Sequence, residues 1–114
     1  MKICKQQDSI VHTHNPACSV KEYPLGLDSL NMAITTISGR YPDEGFVQNT
    51  VVHEMAYILE GSGSITTLSA TTHFEAGDMI VLDPNEPYYW QGACKAVIAC
   101  NPAFTPDQHV AADS

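Results

Sequence analysis

A chain of 114 residues is long enough for one domain and too short for two. Its 13 Asp and Glu outnumber 5 Lys and Arg to give a formal charge of −8, and a surface of that sign repels phosphate, which argues against nucleic acid or an anionic membrane as partner. No stretch approaches the ~20 apolar residues that span a bilayer, and the lysines of Met1 to Asp8 are followed by no apolar run, so no secretory signal is expected.

In chain order the pattern is β throughout. Short segments rich in β-branched and aromatic residues are separated by Gly, Pro, Asn and Asp. The expected strands are Ala17–Pro24, Asn31–Ser38, Val51–Leu59, Ser64–Leu68, Thr72–Glu75, Met79–Leu82, Tyr88–Gln91 and Cys94–Cys100. Turn chemistry occupies Pro24-Leu25-Gly26, Gly39 to Gly45, Ala76-Gly77-Asp78 and Asp83 to Pro87. Glu60-Gly61-Ser62-Gly63, between Tyr57-Ile58-Leu59 and Ile65-Thr66-Thr67-Leu68, reads as the reversal of a hairpin. About eight short strands predict an all-β sandwich, jelly roll or barrel with its core over about 17–104. The segments 1–16 and 105–114 are expected to be arms, ordered only where they dock. Cys4, Cys18, Cys94 and Cys100 form no Cys-x-x-Cys pair, so reduced thiols in a cytoplasmic protein are expected, acting as small buried hydrophobes.

From Tyr41 onward the sequence resembles the cupin superfamily. The family's first motif places a Glu seven positions before a Gly, as Glu54 and Gly61 stand here. Its second runs from a Gly through a Pro-bearing turn to a His. Here Gly77-Asp78 opens that motif, Asp83-Pro84-Asn85 occupies the turn and Tyr88 falls at the His. The stretch "MIVLDPNEPYYW" is specific only in combination with the first motif. The resemblance implies a cupin-type jelly-roll β-barrel, one domain over 1–114, with an internal pocket and pairing into a homodimer.

The departures from the family pattern bear on chemistry. With one spacing Gln48 and Thr50 stand at the first two His positions; with the other, Val47 and Asn49 do. Neither register holds a histidine, and with Tyr88 at the third position only Glu54 remains of four usual metal ligands. Amide and hydroxyl oxygens lack the charge and softness of a carboxylate–imidazole set. The expectation is therefore no metal or other cofactor. Were a metal bound, Glu54 would hold it, with His53, His12 or His14 as weak further donors.

Alternation puts Glu54 on one face with Ala56 and Ile58, and His53, Met55, Tyr57 and Leu59 on the other. An inward Glu54 would be a desolvated carboxyl suited to acid–base work, or a carboxylate held by neighbouring hydroxyls. Tyr88 and Trp90 share a face, and with Gln48, Thr50 and Glu54 they are the candidate pocket residues. His12-Thr13-His14 has both rings on one strand face, which suits a metal, but lies far upstream of the motif and reads first as a solvated edge segment; His73 and His109 have no supporting constellation. Three functions follow: a small-molecule-binding cupin, a metal-free isomerase or lyase using Glu54 and Tyr88, or an interaction module pairing through Met55, Tyr57 and Leu59.

Overall fold

The computed structural model describes residues 1–112. Nine strands follow one another: β1 (Ile10–Asn15), β2 (Cys18–Glu22), β3 (Asn31–Tyr41), β4 (Phe46–Asn49), β5 (His53–Thr67), β6 (Thr71–Glu75), β7 (Met79–Leu82), β8 (Tyr88–Asn101) and β9 (His109–Ala112). Single 3-10 turns at Gln6–Asp8 and Pro106–Gln108 precede the first and last strands. All nine belong to one antiparallel sheet, which curls into the jelly-roll barrel.

The long strand β8 organises the sheet. One edge pairs with β3, from Asn31↔Cys100 to Tyr41↔Trp90, and then with β4 at Val47↔Tyr88. The other edge pairs with β5, from His53↔Asn101 to Thr67↔Tyr88. Beyond β3 lie β2 and β1; beyond β5 lie β7 and β6; β9 pairs with β4. The concave face is apolar, with Ile37, Ile58, Ile65, Phe74, Leu82 and Trp90 among its buried residues. The period of two that predicted strands thus also sorts the core from the surface.

The expected hairpin at Glu60–Gly63 is not there. β5 runs straight through it, and the chain reverses at 68–70, where the Thr67 amide donates to the Ala70 carbonyl at 2.9 Å. What happens at Leu59 is a bulge: register shifts between Ile58 and Glu60, so even-numbered residues face inward before it and odd-numbered ones after it. The glycines serve close strand approach. A Cβ at Gly63 would collide with the Gln91 carbonyl oxygen and the Phe74 ring, and one at Gly92 would meet the Gly63 backbone. Across the ladder, Gly92 and Ala93 likewise merge two expected strands into β8. The arms dock as ladder strands β1 and β9, and β4, which no expected strand covers, joins β8 to β9.

Gly63→Ala tests this account, because no left-handed φ complicates the position. It should lower unfolding free energy by about 3 kcal/mol or more. Gly77→Ala, where a Cβ meets open space but φ is +95°, should lose only about 1–2 kcal/mol. Urea denaturation of both variants measures the difference.

Candidate functional site

Six strands deliver side chains to one chamber inside the barrel. Glu54, the second residue of β5, pairs with Cys100 on β8 and Leu82 on β7 and is 7% exposed. Tyr88 and Trp90 stand at the start of β8, Tyr41 ends β3, His14 comes from β1 and His109 opens β9. They surround a cavity of about 80 Å³, whose walls also include Cys18, Ile37, Ile98, Cys100 and Phe104. Most of the lining is apolar or aromatic, with a few convergent polar groups, the usual make-up of a small-molecule site.

A run of hydrogen bonds leads into the chamber. Tyr41 Oη and His109 Nε2 are 2.7 Å apart, His109 Nδ1 and Asn49 Oδ1 are 2.7 Å apart, and Asn49 Nδ2 donates to Glu54 Oε1 at 3.3 Å. With the Asn49 NH₂ turned to the carboxylate, the remaining protons follow. An amide oxygen only accepts, so His109 Nδ1 carries the hydrogen; a neutral imidazole has one N–H, so Nε2 is bare and Tyr41 donates to it. Glu54 Oε2 bonds to nothing among the described residues. As none of their buried side-chain oxygens lacks a partner, Oε2 opens on the cavity.

Burial controls the ionisation of these groups. It lifts the Glu54 carboxyl from 4.5 to about 7, with the Asn49 hydrogen bond acting in the opposite direction. Burial also pushes Tyr41 up to about 12 and Tyr88 well above the ordinary phenol value, so both remain neutral donors at neutral pH. It pulls His109 down to about 4, helped by His14, and it lowers His14 as well. At pH 7 His14 and His109 are therefore neutral imidazoles, Tyr41 and Tyr88 neutral phenols, and Glu54 a carboxyl near half-ionisation.

Three of the five pocket residues expected from sequence, Glu54, Tyr88 and Trp90, line the cavity. Gln48 and Thr50 do not. In β4 the inward positions are Val47 and Asn49, both buried, so Gln48 takes the other side of the strand and Thr50 is exposed just beyond it. His53 points away from Glu54 toward Asp83, 3.7 Å distant and mostly exposed. His12 lies 3.5 Å from Glu22 on the exposed edge, whereas His14 reaches the cavity. Tyr41, Asn49, Phe104 and His109 were not among the candidates. Tyr41 lies in the expected turn Gly39 to Gly45 and His109 in the expected arm, Asn49 and Phe104 fall in no expected strand, and the sole signal is Asn49's place in the alternative His register.

Rings cluster at one part of the chamber. Tyr41 and His109 stack at 6.0 Å between centroids, His14 lies 5.6 Å from Tyr41, and Phe104 meets His109 edge-on at 6.0 Å. The donors around Glu54 do not fit a divalent metal, since an amide and a phenol stand where imidazoles would be needed. Among the described residues no three His, Cys, Asp or Glu side chains converge closely enough to hold an ion. No helix among them is long and apolar enough to cross a membrane.

In this chain the barrel and its internal site have the cupin-type architecture. More narrowly, residues 44–99 match the EutQ-like cupin domain. Among solved structures it is similar to Pac13 of Streptomyces, described as a nucleoside dehydratase, with a TM-score of 0.86, 18% identity and coverage of 100% of this chain and 94% of that one. It is also similar to KdgF from Halomonas sp. (0.70, 12% identity, 90% and 96% covered). The polyketide cyclase RemF from Streptomyces resistomycificus gives 0.68 at 17% identity, with 95% and 89% covered. No curated protein matches the chain by sequence.

The raised Glu54 value has a signed consequence for stability. A carboxyl whose folded value lies above its ordinary 4.5 contributes most below that pH, and the contribution is lost as pH rises through about 7. Glu54→Gln removes that titration. Relative to wild type it should gain about 3 kcal/mol in unfolding free energy between pH 4 and pH 8. Denaturant titrations at the two pH values check the gain.

Proposed function

We propose that the chain is a small-molecule enzyme of the lyase or isomerase kind whose chemistry needs no metal, with Glu54 taking and returning a proton. The observation that carries this reading is a buried carboxyl balanced near pH 7, with one oxygen open to the cavity. A base of that strength removes a proton from carbon only where a neighbouring carbonyl can hold the charge. The carbon proton passes to Glu54, and the electron pair moves onto the carbonyl oxygen, where the neutral Tyr88 phenol donates a hydrogen bond. The pair then returns to form a C=C bond as the β C–O bond breaks. The departing hydroxide takes the proton back from Glu54 and leaves as water, so the protein ends unchanged.

The ring cluster of His14, Tyr41, Phe104 and His109 supports a ligand with a flat ring beside its reacting carbons. The likeness to a nucleoside dehydratase whose structures include uridine makes a nucleoside the first class to try. Uridine serves as the binding probe, and keto- and aldehyde-bearing nucleosides and sugars as substrates, followed by NMR in D2O for deuteration or loss of water. Wild type should turn over at least one of these in the presence of EDTA, and Glu54→Gln should be slower by about 100-fold or more. Unchanged turnover in Glu54→Gln would remove the assignment.

We infer in addition that the convex face pairs with a second copy. Register sets Met32, Ala99, Met55 and Val81 in one row across four strands, and Ile34, Val97, Tyr57 and Met79 in the next. Met32, Met55, Tyr57, Met79 and Val81 are exposed, as is Leu59. Together these six side chains present on the order of 500 Å² of apolar surface, in the upper part of the range for a monomer's largest patch. A rim around that core can complete the roughly 800 Å² that one partner buries in a stable dimer. The rows carry no charge, so two copies with a formal charge of −8 each can meet there without placing like charges in contact. Light scattering at micromolar concentration should give twice the chain mass, and Tyr57→Glu should halve it. A wild-type monomer at 100-fold higher concentration would overturn the pairing.

A further inference from the structure

We propose that His109 is a positioning residue for Glu54, holding the Asn49 side chain so that its NH₂ group, and not its carbonyl oxygen, faces the carboxylate. This rests on the reading of Glu54 as the proton-transferring group, and it gives the last strand of the barrel a part in setting that group's behaviour.

An amide side chain has nearly the same shape after a half-turn about its last bond. Turned the wrong way, Asn49 would set its carbonyl oxygen against the Glu54 carboxylate, two acceptors in contact. The 3.3 Å bond to Glu54 is too long to enforce the orientation by itself. The 2.7 Å contact with His109 Nδ1 is the stronger restraint, and it selects the oxygen, because a nitrogen bearing hydrogen needs an acceptor. Tyr41 completes the device from the other side of the ring. Its hydroxyl donates to Nε2 at 2.7 Å and so keeps the imidazole hydrogen on Nδ1.

No other group offers the carboxylate this service. Glu54 shares the cavity with Tyr88 and Cys100 from β8, Cys18 and Glu22 from β2, Tyr41 from β3, His109 from β9 and His14 from β1, with Leu82 beside it on β7; a second carboxyl, Glu22, gives the anion no support. Burial raises both phenols and both thiols, and it lowers both imidazoles, so none carries a charge that would favour the anion at neutral pH. The Asn49 bond is the contribution acting against desolvation. Losing its orientation leaves burial unopposed.

The test is the ionisation of Glu54 itself, read by NMR of protein carrying ¹³C at the glutamate side-chain carboxyls and assigned by its loss in Glu54→Gln. The wild-type midpoint should lie at about 7. His109→Phe, which keeps a ring and removes the donor, should raise it by about one pH unit. His109→Asn places an NH₂ hydrogen near the lost Nδ1 position and should bring the midpoint back. A midpoint in His109→Phe equal to or below wild type would overturn the proposal, and so would a folded His109→Asn that behaves like His109→Phe. Should His109→Phe not fold, the ¹⁵N shifts of the wild-type ring decide: hydrogen on Nδ1 supports the proposal and hydrogen on Nε2 overturns it. These readings need no turnover. Loss of the acid–base role is detected separately, by unchanged turnover in Glu54→Gln.

Discussion

Taking a carboxyl group out of water is among the more expensive things a fold can do, and this barrel does it at Glu54. An isolated buried carboxylate would cost several kcal/mol, a substantial share of what holds a domain of this size together. The molecule limits that cost by letting the group bind a proton near neutrality and by giving the anion one amide donor. The apolar walls that raise the carboxyl also keep Tyr41, Tyr88, His14 and His109 neutral. One desolvated chamber therefore sets the state of these five groups.

Holding that chamber open is a problem of curvature. A sheet with nine strands must bend sharply to bring β4 and β9 against the same space as β5 and β8. The bulge at Leu59 and the glycines at 61, 63 and 92 let the two longest strands cross closely where they bend. Trp90 and Phe74, edge to face at 5.5 Å, fill the barrel on that side and leave the space near Glu54 for a ligand. Curvature, packing and cavity are thus one arrangement seen at three scales.

Both ends of the chain contribute to the site. β1 brings His14 and β9 brings His109, so residues nearly a hundred positions apart meet around Tyr41. A cupin barrel is shared by proteins of varied chemistry, including the dehydratase and the cyclase it is similar to. Turned inward in this chain are an amide and a phenol beside a buried carboxyl.

The sequence by itself determined the all-β class, the cupin-type architecture and the inward direction of Glu54, Tyr88 and Trp90. The first follows from a period of two, while the architecture and the inward face rest on the resemblance of Glu54–Gly61 and Gly77–Tyr88 to the two cupin motifs. The glycines near residue 61 misled, because glycine serves a hairpin turn and a close strand crossing equally well, and only the opposing strand distinguishes them. Gln48 and Thr50 failed for the same reason: a one-residue slip in register exchanges the faces, and β4 takes its register from Tyr88 and from β9. Tertiary structure alone decided that Tyr41, Asn49 and His109 join Glu54. Their hydrogen bonds span up to 68 positions, and no pattern within a single segment encodes a partner so far away.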